Sequence, residues 1–153
     1  MRRLNFPGIC FLLLPFFFSC ALFSGRTIQD SHIPLSYQER IAQSFVVLNG
    51  VLVEKTGDAE QVQRNGDYIC RLLLEKRNAR LISPEEGFTA FVRLKEDSFL
   101  RDFQNLNTVA VEISLYAEDH PVAFYLFSQE TEASLSSYSY LYSTLEKALK
   151  GIQ

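Results

Sequence analysis

The sequence predicts an α+β domain, with a mainly antiparallel sheet and helices packed on one face, preceded by a signal peptide and a flexible tether. Three observations predict it. Residues 88–95, 109–116 and 122–128 alternate apolar and polar side chains with the two-residue period of a half-buried strand. Residues 133–150 repeat apolar side chains at helical spacing. Residues 1–43 hold a short apolar leader and a polar stretch, neither with the pattern of a folded core. The chain divides at these changes into residues 1–19, a signal peptide; 20–43, a modified cysteine and tether; and 44–153, the domain. At 153 residues, with 47% hydrophobic and 22% charged residues, one folded domain is expected rather than disorder.

The leader opens with Arg2 and Arg3. An apolar run, Ile9 to Phe18, follows, and then the small residues Ser19-Cys20-Ala21. Arginines stay on the cytoplasmic side while an apolar segment enters the bilayer. Ile9–Phe18 is shorter than the ~20 residues a stable span needs, and Pro15 interrupts it. Phe17-Phe18-Ser19-Cys20 resembles the lipobox of bacterial lipoproteins, which has a bulky apolar residue at −3, a small residue at −1 and then cysteine. Phe17 in place of leucine and the large Phe18 make it similar to the relaxed lipoboxes of spirochaetes. The resemblance implies cleavage before Cys20 and acylation of its sulfur, with a diacylglyceryl thioether and usually a third, amide-linked chain such as palmitate. Two or more acyl chains suffice for stable anchoring. The alternatives are cleavage after Ala21, which gives a soluble secreted domain, and a retained anchor extending through Phe23.

Ser24 to Gln43 is polar, carries Gly25 and Pro34, and reads as a tether ending in a helical turn near Tyr37–Ala42. Ser44–Glu54 is apolar and β-branched and reads as a strand, with Asn49-Gly50 as either a bulge or a hairpin turn. Across Ala59–Asn78, Asn65-Gly66-Asp67 looks like a break. Asp67 then caps a helix from Tyr68 to Arg77, or residues 68–74 form a strand. Leu81-Ile82 reads as a brief extended piece before Pro84. Asp97–Phe103 reads as a short helix capped by Asp97 or Ser98, pressing Phe99, Leu100 and Phe103 onto the sheet. Val109–Tyr116 and Val122–Ser128 form a hairpin about Ala117–Pro121. Ala133–Lys150 is the closing helix, with Lys147 and Lys150 in its last turn and Gly151 as the stop. The element order resembles that of small outer-membrane lipoproteins that assist lipopolysaccharide assembly or activate penicillin-binding proteins. In style the chain is similar to small uncharacterised spirochaete lipoproteins.

Charge and chemistry narrow the function. The net charge is −3, and more acidic once the leader arginines are removed. A reader of nucleic acid or of anionic lipid alone needs a basic patch instead. Of the three cysteines, Cys10 and Cys20 lie in the leader region, so Cys70 is left without a disulfide partner in one exported chain and reads as a small buried hydrophobe. His32 in the tether and His120 in a turn have no metal-spaced neighbours. The serines form no nucleophile elbow and the glycines no phosphate loop. The carboxylate pairs Glu85-Glu86, Glu96-Asp97, Glu118-Asp119 and Glu130/Glu132 read as solvated turns. No catalytic, cofactor or metal site is expected. Tyr116, Tyr125, Phe127, Tyr138, Tyr140 and Tyr142 are read as mostly half-buried core, with a partner-binding face between hairpin and helix as the alternative. The expectation is a lipoprotein held in the cell membrane or outer membrane through Cys20, facing the periplasm or the surface. It acts without catalysis as a binding or accessory module for a protein or envelope component. The alternatives are a carrier of lipid or another small ligand, with a pocket between sheet and closing helix, and an envelope hydrolase.

Overall fold

The computed structural model describes residues 27–82 and 85–152. The leader, Cys20 and the side chains of Glu85 and Glu86 lie outside the described residues, as does Pro84. The elements run β1 (Thr27–His32), α1 (Leu35–Gln43), β2 (Ser44–Lys55), α2 (Ala59–Asn78), β3 (Glu85–Arg101), β4 (Gln104–Ala117), β5 (His120–Thr131) and α3 (Tyr138–Lys150). The five strands form one sheet in the order β1-β5-β4-β3-β2. Only β2 and β3 pair in parallel, across the α2 crossover; the other three pairings are antiparallel. The expected α+β architecture is the one observed. One face of the sheet carries Val46, Leu48, Phe88, Val92, Leu94, Val111, Ile113, Leu115 and Phe127 into a single core with Ile41, Ile69, Leu141 and Leu145 from the helices.

Folding begins earlier in the chain than the sequence reading placed it. Thr27–His32 is an edge strand on β5, with Thr27 opposite Gln129 and His32 opposite Phe124. The turn expected at Tyr37–Ala42 is the helix α1, which buries Ile41 and sets Tyr37 edge-on against Phe88 at 6.2 Å. Exposure hides β1 from a pattern search, because all six of its residues face solvent.

The Asn49-Gly50 ambiguity resolves as a bulge within β2, where the pairing with β3 shifts register between Leu48 and Gly50. Before the bulge, Val46 and Leu48 face the helices; after it, Val51, Val53 and Lys55 share that row with Val92, Leu94 and Glu96. A straight strand would turn those three side chains to the other face.

Gly66 is no break, and the strand alternative is overturned. α2 runs unbroken through Asn65-Gly66-Asp67, burying Val62, Gly66, Ile69, Cys70, Leu74 and Arg77 along one stripe. The glycine serves approach rather than flexibility. A Cβ there would stand 3.1 Å from Leu94 Cδ1 and 3.3 Å from Val51 Cγ1. Asp67 pairs with Arg71 one turn on, at 2.7 Å, instead of capping. At the other end of α2, the buried Arg77 guanidinium donates to the carbonyls of Ile41 and Ser44, and Asn78 bonds both the N–H and the carbonyl of Val46.

The short helix expected at Asp97–Phe103 does not form. β3 continues to Arg101 and returns as β4 through Asp102-Phe103, both at positive φ (51° and 64°), a two-residue turn of the type that matches strand twist. The helical spacing of Phe99, Leu100 and Phe103 misleads because thirteen cross-strand pairs, Thr89↔Tyr116 to Arg101↔Gln104, outweigh one local turn. A second such turn at Glu118-Asp119 (φ 47° and 67°) joins β4 to β5, the expected hairpin.

Close packing of α2 on the sheet gives a direct test. Gly66→Leu puts a whole side chain where one methyl already touches, and should destabilise by about 1–3 kcal/mol or more, read as a lower denaturation midpoint with unchanged slope.

Candidate functional site

Two regions combine chemistry and position: a polar cluster beside the start of α3, and the sheet face that no helix covers among the described residues.

The cluster centres on Glu96, a core-facing position of β3 and only 8% exposed. Lys55, its partner across the β2–β3 pair, brings Nζ to 3.3 Å. Ser134 Oγ donates to both Glu96 oxygens at 2.9 and 3.0 Å, and the Leu135 N–H donates to Oε2 at 2.5 Å. Lys55 Nζ also donates to Asp58 Oδ1 at 2.7 Å and to Ser136 Oγ at 2.9 Å, and Ser136 donates to Asp58 at 3.0 Å. Burial works against the Lys55 charge, yet its bonds to Asp58 and Glu96 outweigh that and hold the ammonium above its ordinary value. The same lysine, with Ser136, holds the Asp58 carboxyl below its ordinary value.

This arrangement shortens the closing helix. The helix expected over 133–150 starts at Tyr138, because Glu96 takes the Ser134 hydroxyl and the Leu135 amide and holds 133–137 in a loop closed by a turn from the Ser137 N–H to the Ser134 carbonyl. Leu135 is fully buried in that loop. From the sequence, Glu96 is expected as a solvated neighbour of Asp97. Its place in the alternation Phe88, Ala90, Val92, Leu94, Glu96 was the signal that it points inward. The three ammonium hydrogens and the carboxylate are all engaged, so the cluster is a clamp rather than a reactive centre.

Remaining titratable candidates are spread out. His32 and His120 are both exposed. His120 lines a depression of about 520 Å³ with Tyr37, Arg40, Glu118 and Val122, and no serine or cysteine is among its lining residues. Glu118-Asp119 is the β4–β5 turn itself. Cys70 is fully buried, and burial pushes its thiol up to about 12, far from thiolate reactivity. Among the described residues, no three His, Cys, Asp or Glu side chains gather as metal ligands, and no helix is long and apolar enough to cross a membrane. Of the aromatic residues read as mostly half-buried core, with a binding face as the alternative, the structure makes a divided set. Tyr125 and Phe127 are core, Tyr140 and Tyr142 half-buried, Tyr138 is exposed, and Tyr116 lies on the opposite sheet face. Fully buried Ile69, Leu94, Ile113, Leu115, Leu141 and Leu145 fill the space between sheet and helices where a ligand pocket would sit.

The uncovered face is a mixed surface. Val47, Phe91, Tyr116 and Phe124 crowd one end, with Val47 58% exposed. Across the middle, Arg93 pairs with Glu54 at 3.5 Å and Glu112 at 3.3 Å. At the other end Arg101 lies over the Phe99 ring at 5.2 Å and makes a two-pronged bond to Glu130 at 2.9 and 3.1 Å. Exposed apolar side chains there are interrupted by satisfied ion pairs.

No protein-family model matches the chain, and no curated protein sequence matches it. Among solved structures, the chain is similar to a PelC dodecamer from Paraburkholderia phytofirmans, with 13% identity, 84% of this chain and 98% of that chain covered, and a TM-score of 0.54. A leucine-to-methionine variant of that dodecamer, in another crystal form, aligns at 14% identity over the same shares with a TM-score of 0.49. At that identity the first likeness is one of fold.

Two expectations follow from the clamp. Glu96→Leu leaves the buried Leu135 amide without its acceptor and Lys55 with Asp58 as its remaining carboxylate, and should cost about 1–3 kcal/mol; in urea denaturation the loss for Lys55→Met/Glu96→Leu should be smaller than the sum of the two single losses, and simple additivity would show that the pair is not coupled. Because the native state lowers the Asp58 pKa, its contribution is present above the ordinary carboxylate range and fades as pH falls through it. Lys55, raised, contributes below the ordinary lysine range and fades as pH rises through it. Asp58→Asn should therefore flatten the acid limb of a stability–pH curve and, because Asp58 also helps to raise Lys55, weaken the alkaline limb, which Glu96 then sustains alone.

Proposed function

We propose that this chain is an exported lipoprotein, anchored through Cys20, that acts as a non-enzymatic binding or accessory module at the surface of a bacterial membrane. One observation carries the reading: a basic, apolar leader ends in Ser19-Cys20, and only six residues separate Cys20 from a folded strand that starts at Thr27. Acyl chains on Cys20 supply the bilayer affinity that an acidic domain lacks. The Cys20–Thr27 linker spans at most ~24 Å when fully extended, so the domain is held close to the lipid surface instead of hanging on a long tether.

Binding is the activity the uncovered sheet face supports best. Its apolar end and its central ion pairs offer area and orientation to a protein or envelope partner. The neighbour of similar fold is described as a dodecamer, which makes a second copy of this chain the first partner to test.

Metabolic labelling with an alkyne fatty-acid analogue decides the anchor. The wild-type chain should take up label and sediment with membranes, and Cys20→Ala should lose both. Labelled, membrane-bound Cys20→Ala protein overturns the assignment of Cys20. Unlabelled wild type in the soluble fraction, with a mature N-terminus after Ala21, replaces the anchored reading with a secreted one.

A further inference from the structure

The β3–β4 hairpin reaches past the rest of the sheet. β2 ends at Lys55, opposite Glu96, and β5 ends at Thr131, opposite Asn107, so residues 99–106 pair only with each other. The five residues from Asp97 to Arg101 carry the tip ~17 Å beyond the Glu96 row. At that tip Phe103 is 99% exposed and Leu100 is 67% exposed. A bulky aromatic at positive φ is an uncommon choice where asparagine or glycine is favoured, so this turn gives up local stability to display the ring.

The covalent path from Cys20 arrives at the same end. Thr27, Gln129, Val109 and Glu96 form one row across the sheet. β1 runs away from the hairpin tip, so the chain preceding Thr27 leaves on the tip side. The tip stands ~17–20 Å ahead of that row and two to three strand spacings, ~10–14 Å, to the side. Seven Cα steps from Thr27 to Cys20 reach ~24 Å at full extension, enough to bring Cys20 level with Phe103. The projecting segment is suited to the place. Arg101 and Asp102 are its only charged residues and they cancel, Arg101 being paired besides with Glu130, while Gln104 and Asn105 are neutral and polar. A net-neutral tip avoids the repulsion that an acidic surface meets at anionic lipid.

We propose that the β3–β4 hairpin tip, led by Phe103 and Leu100, dips into the lipid interface of the membrane that holds the chain by Cys20, a second contact that orients the domain. The proposal rests on the lipid anchor argued above. Apolar side chains on a rigid tip enter the headgroup–acyl boundary while the flanking amides stay hydrated.

The chain contains no tryptophan, so one introduced indole reports on one position. Full chain produced with its own leader is reconstituted into phosphatidylethanolamine–phosphatidylglycerol vesicles containing dibrominated phosphatidylcholine. Phe103→Trp is compared with Leu35→Trp, an 85% exposed site just past the far end of β1. Expected are vesicle flotation of both proteins, a shift to shorter wavelength and loss of emission for Phe103→Trp, and water-like, unquenched emission for Leu35→Trp. Flotation with water-like emission from both overturns tip insertion and leaves the anchor standing. A blue-shifted but unquenched Phe103→Trp overturns it in favour of contact with another protein copy. Failure of either protein to float removes the anchor and the proposal with it.

Discussion

A single inward-facing carboxylate sets the geometry at one end of this fold. Glu96 continues the apolar row of β3, so its charge enters the interior beside the core. An isolated carboxylate there would be costly. Lys55, Ser134 and the Leu135 amide answer it, and in doing so they fix the end of β2, the path from β5 into α3 and, through Asp58, the start of α2. Asp58 precedes α2 without capping it by its side chain, since that carboxylate is already held by Lys55 and Ser136. The helix beginnings are subordinate to the buried pair.

The bulge in β2 makes this clamp available. Without the extra residue at Asn49-Gly50, Lys55 would point to the uncovered face and Glu96 would lack its cation. Gly66 completes the packing by letting α2 lie directly on Val51 and Leu94. Gly151 plays a similar part at the end of α3. The ring of Tyr125 occupies the place of a Cβ there, so this glycine answers a packing need in addition to ending the helix. Among the described residues the three helices gather on one face, which leaves the other face and the projecting β3–β4 hairpin uncovered by helix. The two ends of the sheet consequently differ: one displays Val47 and Phe124, the other presents Phe103 where the chain from Cys20 joins.

Much of the core was legible because burial imposes a period. The alternation of Val109, Val111, Ile113 and Leu115, and the helical stripe of Leu141, Leu145 and Leu149, exist whichever neighbours cover them. β1 was not legible, since a strand exposed along its whole length has no apolar side to reveal it. At Asp97–Phe103 the local spacing pointed to a helix, and pairing with residues 104–108 decided otherwise. Of the polar clamp, only the inward phase of Glu96 was readable; the partnership with Ser134 and Leu135, 38 and 39 residues away, was not. Arg77 was legible only as the end of a helix, and its burial depends on carbonyls that α1 and β2 bring to it.

The sequence by itself determined the class of the domain, its strongest hairpin and closing helix, and the leader pattern that motivates an anchor at Cys20. These are carried by side-chain order along the chain, where hydrophobicity and covalent spacing act locally. The tertiary structure alone decided which face stays open, where the bulge turns β2 over, which charges meet inside, and that Phe103 projects on the side from which the chain to Cys20 departs. Those outcomes depend on strand order and register, which bring residues distant in sequence into one row, and no local pattern encodes such a row.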